Sequence, residues 1–177
     1  LQDEAGGSIY LRLTTRSIDQ PMREIDNELK NNIIKGGYWL KKPGSNPEVI
    51  IVYQGAVASE AIESTALLGE KFKDSGVLSI TSSDNLFHNW KNKTLSFKNK
   101  TTQSHIEKLL EFIPRDTRII TVVDGHPMTL SWIGSVYGHK TIPLGVDSFG
   151  QTGNIKDLFT EFRIDTSNIC NLGFNYS

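Results

Sequence analysis

Residues 119–127 read IITVVDGHP. Ile119, Ile120, Val122 and Val123 are β-branched, so Arg118 to Val123 is the most strand-like run in the chain. The run then breaks into Asp124-Gly125-His126-Pro127, residue types that end strands and shape turns. A buried strand feeding a polar loop is the pattern of an open parallel sheet, which presents its ligand loops at the carboxyl ends of its strands.

Working outward, the same alternation of strand and helix recurs. Val49 to Tyr53 is a second continuous apolar run, the pattern of a strand covered on both faces. Ser59 is placed to cap a following helix whose Ala61, Ile62, Thr65, Ala66 and Leu68 form an apolar stripe. Val77 to Thr81 reads as a strand, and Asp84 as the cap of a short helix reaching Trp90. Helical spacing resumes from Ser104 to Phe112 and stops at Pro114. Beyond the opening stretch, Leu130 to Tyr137 reads as helix and Thr141 to Val146 as strand. Ile155 to Phe162 reads as helix, with Asn154 as its cap and Asp157 placed as in a capping box. Thr166 starts a last helix. Gly36-Gly37 opens a short strand through Leu40. Upstream, Ser8 to Thr14 alternates in the period-two manner of a strand, and polar Ser17 to Asn32, with Pro21, reads as a linker. The first strand is therefore expected to belong to a preceding domain. Alternating strands and helices predict an α/β fold: a mostly parallel sheet with helices on both faces.

The totals exclude several function classes. The 177 residues fit one medium domain. Nineteen Lys and Arg against twenty Asp and Glu leave a net charge of -1, so the chain as a whole has no drive toward nucleic acid or anionic lipid. The lysine-rich stretch from Trp90 to Lys100, which mixes Lys91, Lys93, Lys98 and Lys100 with aromatic rings, is read as a solvated connection. Cys170 is the one cysteine; it can form no internal disulfide, and a reducing, cytoplasmic setting is expected. His88, His105, His126 and His139 lack ligand spacing, and metal binding is not expected. No apolar run approaches the roughly 18 residues of a membrane span.

Two loops could carry function. Asp124 and His126 could form an acid–base pair, since histidine titrates near neutral pH and a carboxylate can orient its ring. The plainer reading gives Asp124 the turn and His126 an interface. The second loop, Gly145-Val146-Asp147-Ser148-Phe149-Gly150-Gln151-Thr152-Gly153, is neither a Walker loop nor a GxGxxG fingerprint. Phe149 between flexible residues reads as a plug for a neighbouring surface. Asp124, Gly125, His126, Pro127, Phe149, Gly150, Gln151, Thr152 and Gly153 are therefore expected as domain or dimer contacts.

The succession GGSIYLRLTTR, IKGGYWLKKP, GVLSITSSDNLFHNW, SHIEKLLEFIPRD, TVVDGHPMTLSWIGSVYGHK, PLGVDSFGQTGNIKDLF and Ile164-Asp165 resembles the C-terminal part of transketolase-like, thiamine-diphosphate-dependent 2-oxoacid dehydrogenases. Within that group it looks like the homodimeric decarboxylating component of the bacterial pyruvate dehydrogenase complex. The resemblance runs from about Gly6 to Ile169 and departs at Asn85, where arginine is expected, and at Arg163, where glycine is expected. It implies a three-layer α/β/α domain around a mixed five-stranded sheet with one antiparallel strand. It also divides the chain into the tail of a pyrimidine-binding domain over 1–16, a linker over 17–35 and a transketolase C-terminal domain over 36–177. Catalytic and cofactor-binding residues are then expected outside the fragment, as are thiamine diphosphate and magnesium. The full chain would decarboxylate pyruvate as a homodimer and pass acetyl to the lipoyl arm of a dihydrolipoyl acyltransferase, whereas the fragment alone would be inactive. A sugar-transferring transketolase and a free-standing module for small anions are the alternatives.

Overall fold

A computed structural model describes residues 22–96, 102–149 and 152–175, together with positions 6, 14 and 17–19. The strand expected over Ser8 to Thr14 lies, but for Thr14, outside the described residues. Among the described residues five strands form one sheet: β1 (Gly37–Lys41), β2 (Val49–Gln54), β3 (Gly76–Ile80), β4 (Arg118–Val123) and β5 (Thr141–Leu144). Their spatial order is β1-β3-β2-β4-β5, with β1 antiparallel to β3 and every other pair parallel. Among the described residues seven α-helices accompany them: α1 (Asn27–Lys35), α2 (Ala58–Lys71), α3 (Ser83–Leu95), α4 (His105–Leu110), α5 (Met128–Ser131), α6 (Ile155–Glu161) and α7 (Thr166–Asn175).

The continuous apolar runs become the central strands because both of their faces are covered. Ile51 lies opposite Val77 on one side and Ile120 on the other. These residues join Val49, Tyr53 and Val122 in a core with Ala61 and Leu68 of α2 and Ile169 of α7. The alternate residues Ile50, Val52 and Ile119 point the other way. They pack with Leu86 of α3, Ile106 and Leu110 of α4, and Leu130 of α5. Ile50, Ile51, Ile119 and Ile120 are at most 1% exposed, and burying each contributes about 2 kcal/mol. Two cores on opposite faces of one sheet make the three-layer α/β/α arrangement. Pro143, which has no N–H to give, stands in the edge strand β5.

Local chemistry explains where the elements differ from the sequence pattern. The span 17–35, expected as linker, carries α1. Asp26 Oδ1 caps it by accepting from Leu29 N–H at 2.7 Å, and Gly36 ends it in the left-handed region at φ 110°. Helix α2 begins one residue before Ser59, with Val57 rather than the serine at its cap position. Ser82, not Asp84, stands at the N-cap position of helix α3, without a side-chain cap bond, and the helix runs to Leu95, so Lys91 and Lys93 are helical rather than in a loop. The hydrogen bond from Ser82 Oγ holds the Asp84 carboxyl below the usual carboxylate range. Only α5 is α-helical within 130–137; Trp132–Val136 tightens into a 3-10 turn. Asn154 caps α6 as expected, accepting from Lys156 N–H. The reciprocal capping box lies at Ser104 and Glu107 instead, where Glu107 Oε2 accepts from both Ser104 N–H and Ser104 Oγ at 2.7 Å.

Helix α6 ends at the position where the resemblance expects glycine. Arg163 takes φ 57° there. Ile164 N–H donates to Phe159 carbonyl and Arg163 N–H to Thr160 carbonyl, the two bonds of a Schellman motif. The glycine expectation thus reflects a left-handed backbone, which arginine occupies here at a cost of about 1 kcal/mol.

Candidate functional site

The chain crosses from β2 to β3 on one side and then returns past β2 to β4 on the other. The carboxyl ends of β2 and β4 are therefore the topological switch point, where open sheets leave a crevice. Gly55 follows β2 there, and Asp124 follows β4. Gly55 has φ +86°, and a Cβ added to it would overlap Asp124 Oδ1. Only glycine lets the Asp124 side chain lie this close, so Asp124 occupies part of the crevice itself.

The next residues tie this loop to β5. Gly125 carbonyl accepts from Val146 N–H at 2.8 Å. Gly145 is buried against the same carbonyl and Pro127, and a Cβ there would overlap both. His126 is exposed, and its Nδ1 accepts from Met128 N–H at 3.3 Å, at the start of α5. That acceptor role leaves the ring proton on Nε2. The expected acid–base pair thus resolves into two tasks, with Asp124 against Gly55 and His126 at the head of α5.

The second loop behaves differently after its first two residues. Asp147, Ser148, Thr152 and Gly153 are exposed, and Phe149 is 105% exposed. Gly150 and Gln151 lie outside the described residues. A phenyl ring left uncovered by the described residues is the main apolar feature of this edge. Close to the other loop, Phe87, Met128 and Trp132 line a cleft of about 380 Å3. Met128 is 64% exposed, and the Phe87 and Trp132 rings meet at 5.2 Å. This cleft is not legible in the sequence, since Phe87 and Trp132 stand 45 positions apart and meet only after folding.

A magnesium–diphosphate centre needs several oxygen ligands around one point. Among the described residues no three His, Cys, Asp or Glu side chains converge to hold a metal ion. These residues do not fit such a centre. No helix among them is long and apolar enough to cross a membrane.

The family model described as "Transketolase-like TK C-terminal domain" matches residues 36–165. The chain belongs to the transketolase-like C-terminal domain family. Within that family it is similar to "Transketolase 2" of Aliivibrio fischeri, at 29% identity over 150 residues, which are 84% of this chain and 20% of the relative. The chain thus spans about a fifth of the curated relative it matches. Among solved structures, transketolase from Campylobacter jejuni aligns over 78% of this chain and 18% of its own, at 23% identity and TM-score 0.55. Transketolase from Leishmania mexicana aligns over 81% and 18%, at 15% identity and TM-score 0.58. A split-gene transketolase, described as an inactive β4 tetramer, aligns over 78% and 41%, at 14% identity and TM-score 0.55. At these identities the structural likeness concerns the fold, and it agrees with the mixed five-stranded sheet of this transketolase-like domain.

Proposed function

We propose that this domain braces a larger thiamine-diphosphate-dependent enzyme and contributes to its dimer contact through the loops at Asp124 to Pro127 and Phe149 to Gly153. The observation that carries this reading is the Phe149 ring, fully exposed on a loop that leaves a locked sheet edge. A bare phenyl gains most when a second surface removes it from water, by about 2 kcal/mol. In this role the domain supplies shape and adhesion. The cofactor and its magnesium would be held by other parts of the full-length protein, and the 177 residues alone would turn over no substrate. The inactive split-gene assembly offers a parallel.

For the full-length enzyme, two-carbon transfer between sugar phosphates is favoured, because the curated relative and the similar solved structures bear the name transketolase. A second reading rests on the ordered motifs from GGYWLKKP through VVDGHP to DSFGQTG. It is oxidative decarboxylation of pyruvate by a homodimer that hands acetyl to a dihydrolipoyl acyltransferase. The deciding assay supplies full-length protein, thiamine diphosphate and magnesium with either a ketose phosphate and an aldose phosphate, or pyruvate and a lipoyl domain. Ketose transfer without lipoyl acetylation supports the first reading. Lipoyl acetylation alone supports the second, and neither activity removes both.

A further inference from the structure

Away from the strand ends, α1, α3 and α4 enclose a cleft of about 500 Å3 lined by Lys35, Lys93, Lys108, His105 and Asn92, among others. Among the described residues, no aspartate or glutamate lines it. Two carboxylates bonded to its lining are already used: Glu107 Oε1 takes Lys93 Nζ at 2.5 Å and Oε2 takes both Ser104 donors, while Glu111 Oε2 takes Gln103 Nε2 at 3.0 Å. Lys35 and Lys108 form no ion pair among the described residues. Burial lowers the pKa of the His105 ring against the opposing pull of its bond to Gly37 carbonyl, and the ammonium groups of Lys35 and Lys108 lower it further. His105 Nε2 faces Gly37 carbonyl at 2.8 Å. A carbonyl can only accept, so Nε2 donates, and the ring is held in place at the wall of the cleft.

The neighbouring cleft differs in kind. It sets Asp26, Glu28 and Glu111 among Arg23, Lys42 and Lys108, so its charges are mixed, and Lys108 stands on the border of the two clefts. A concave site with two ammonium groups and no lining carboxylate concentrates positive potential where a compact anion fits, and its volume is that of a small-molecule site. The lysines act as point charges and suit phosphate oxygens.

We propose that this cleft binds a small phosphorylated metabolite, its phosphate held by Lys35 and Lys108 with Asn92 and His105 at the wall. The site is separate from the loops of the dimer-contact reading and stands without it.

The test uses full-length protein and inorganic pyrophosphate as probe, followed by titration calorimetry at low ionic strength. Lys35→Gln with Lys108→Gln is expected to remove one binding event per chain or to weaken it by at least about tenfold. Lys35→Arg with Lys108→Arg should retain that event, and Lys73→Gln, an exposed lysine elsewhere, should leave the isotherm unchanged. Each single glutamine variant covers the case in which the double variant unfolds, and should weaken binding by about fivefold. Identical isotherms for wild type and the glutamine variants would overturn the site, as would the absence of any pyrophosphate binding by wild type.

Discussion

Two loops leave the same end of the sheet and meet opposite fates. The loop after β4 is locked: Asp124 lies over Gly55, Gly125 carbonyl takes Val146 N–H, and His126 heads α5. The loop after β5 is anchored through Gly145 and Val146, then runs outward to a bare Phe149. Polar, motif-like residues mark the first, yet its side chains hold the fold together. The second carries apolar surface that the described residues do not cover. A polar loop at a strand end is therefore architecture where its neighbours close on it; where they do not, it is left open for the contact role proposed above.

The largest effect should follow from forcing the lock. Gly55→Ala must take a left-handed backbone and displace Asp124, and is expected to lower stability by about 3 kcal/mol in urea titration. A loss under about 1 kcal/mol would mean the switch point is not closed as described. Next comes a region that belongs to neither loop and calibrates both. Burial alone would raise the Glu107 carboxyl, but the bonds from Lys93 and Ser104 outweigh it and hold the group below the usual carboxylate range. A folded-state pKa below the unfolded one adds stability that is present above the unfolded value and is lost as pH falls through the folded one. Glu107→Gln should therefore cost about 2 kcal/mol at pH 7, and the difference from wild type should shrink below about pH 4. Chemical denaturation across pH reads this directly, and a difference that grows with acid would contradict it.

The smallest effect sharpens the open side. Helix α6, fed by the Phe149 loop, ends on Arg163 in a left-handed conformation. Arg163→Gly should stabilise the domain by about 0.5 kcal/mol, the relief of backbone strain exceeding the entropy that glycine adds to the unfolded chain. Thermal unfolding decides the sign.

How much of this was readable in the residues depended on distance along the chain. The runs Val49 to Tyr53 and Arg118 to Val123 announced the central strands, because burial on both faces needs apolar residues at every position. The Asn154 cap was equally local. Polar α1 was hidden in its composition, although Asp26 and Gly36 bracket it as cap and stop. The contacts that decide the site join remote positions: Gly55 with Asp124, Phe87 with Trp132, and Lys93 with Glu107. A single sequence states which residues prefer strands, but not which loops will meet once the strand order is set.

The contrast between the two loops is tested most directly by Phe149→Ala in the full-length protein, with dimer dissociation followed by sedimentation and unfolding followed in parallel. The exposed ring should contribute under about 0.5 kcal/mol to the fold, while its loss should weaken the dimer by roughly tenfold or more. An unchanged dimer constant, or a large loss of fold stability, would show that Phe149 is not the contact surface assigned to it.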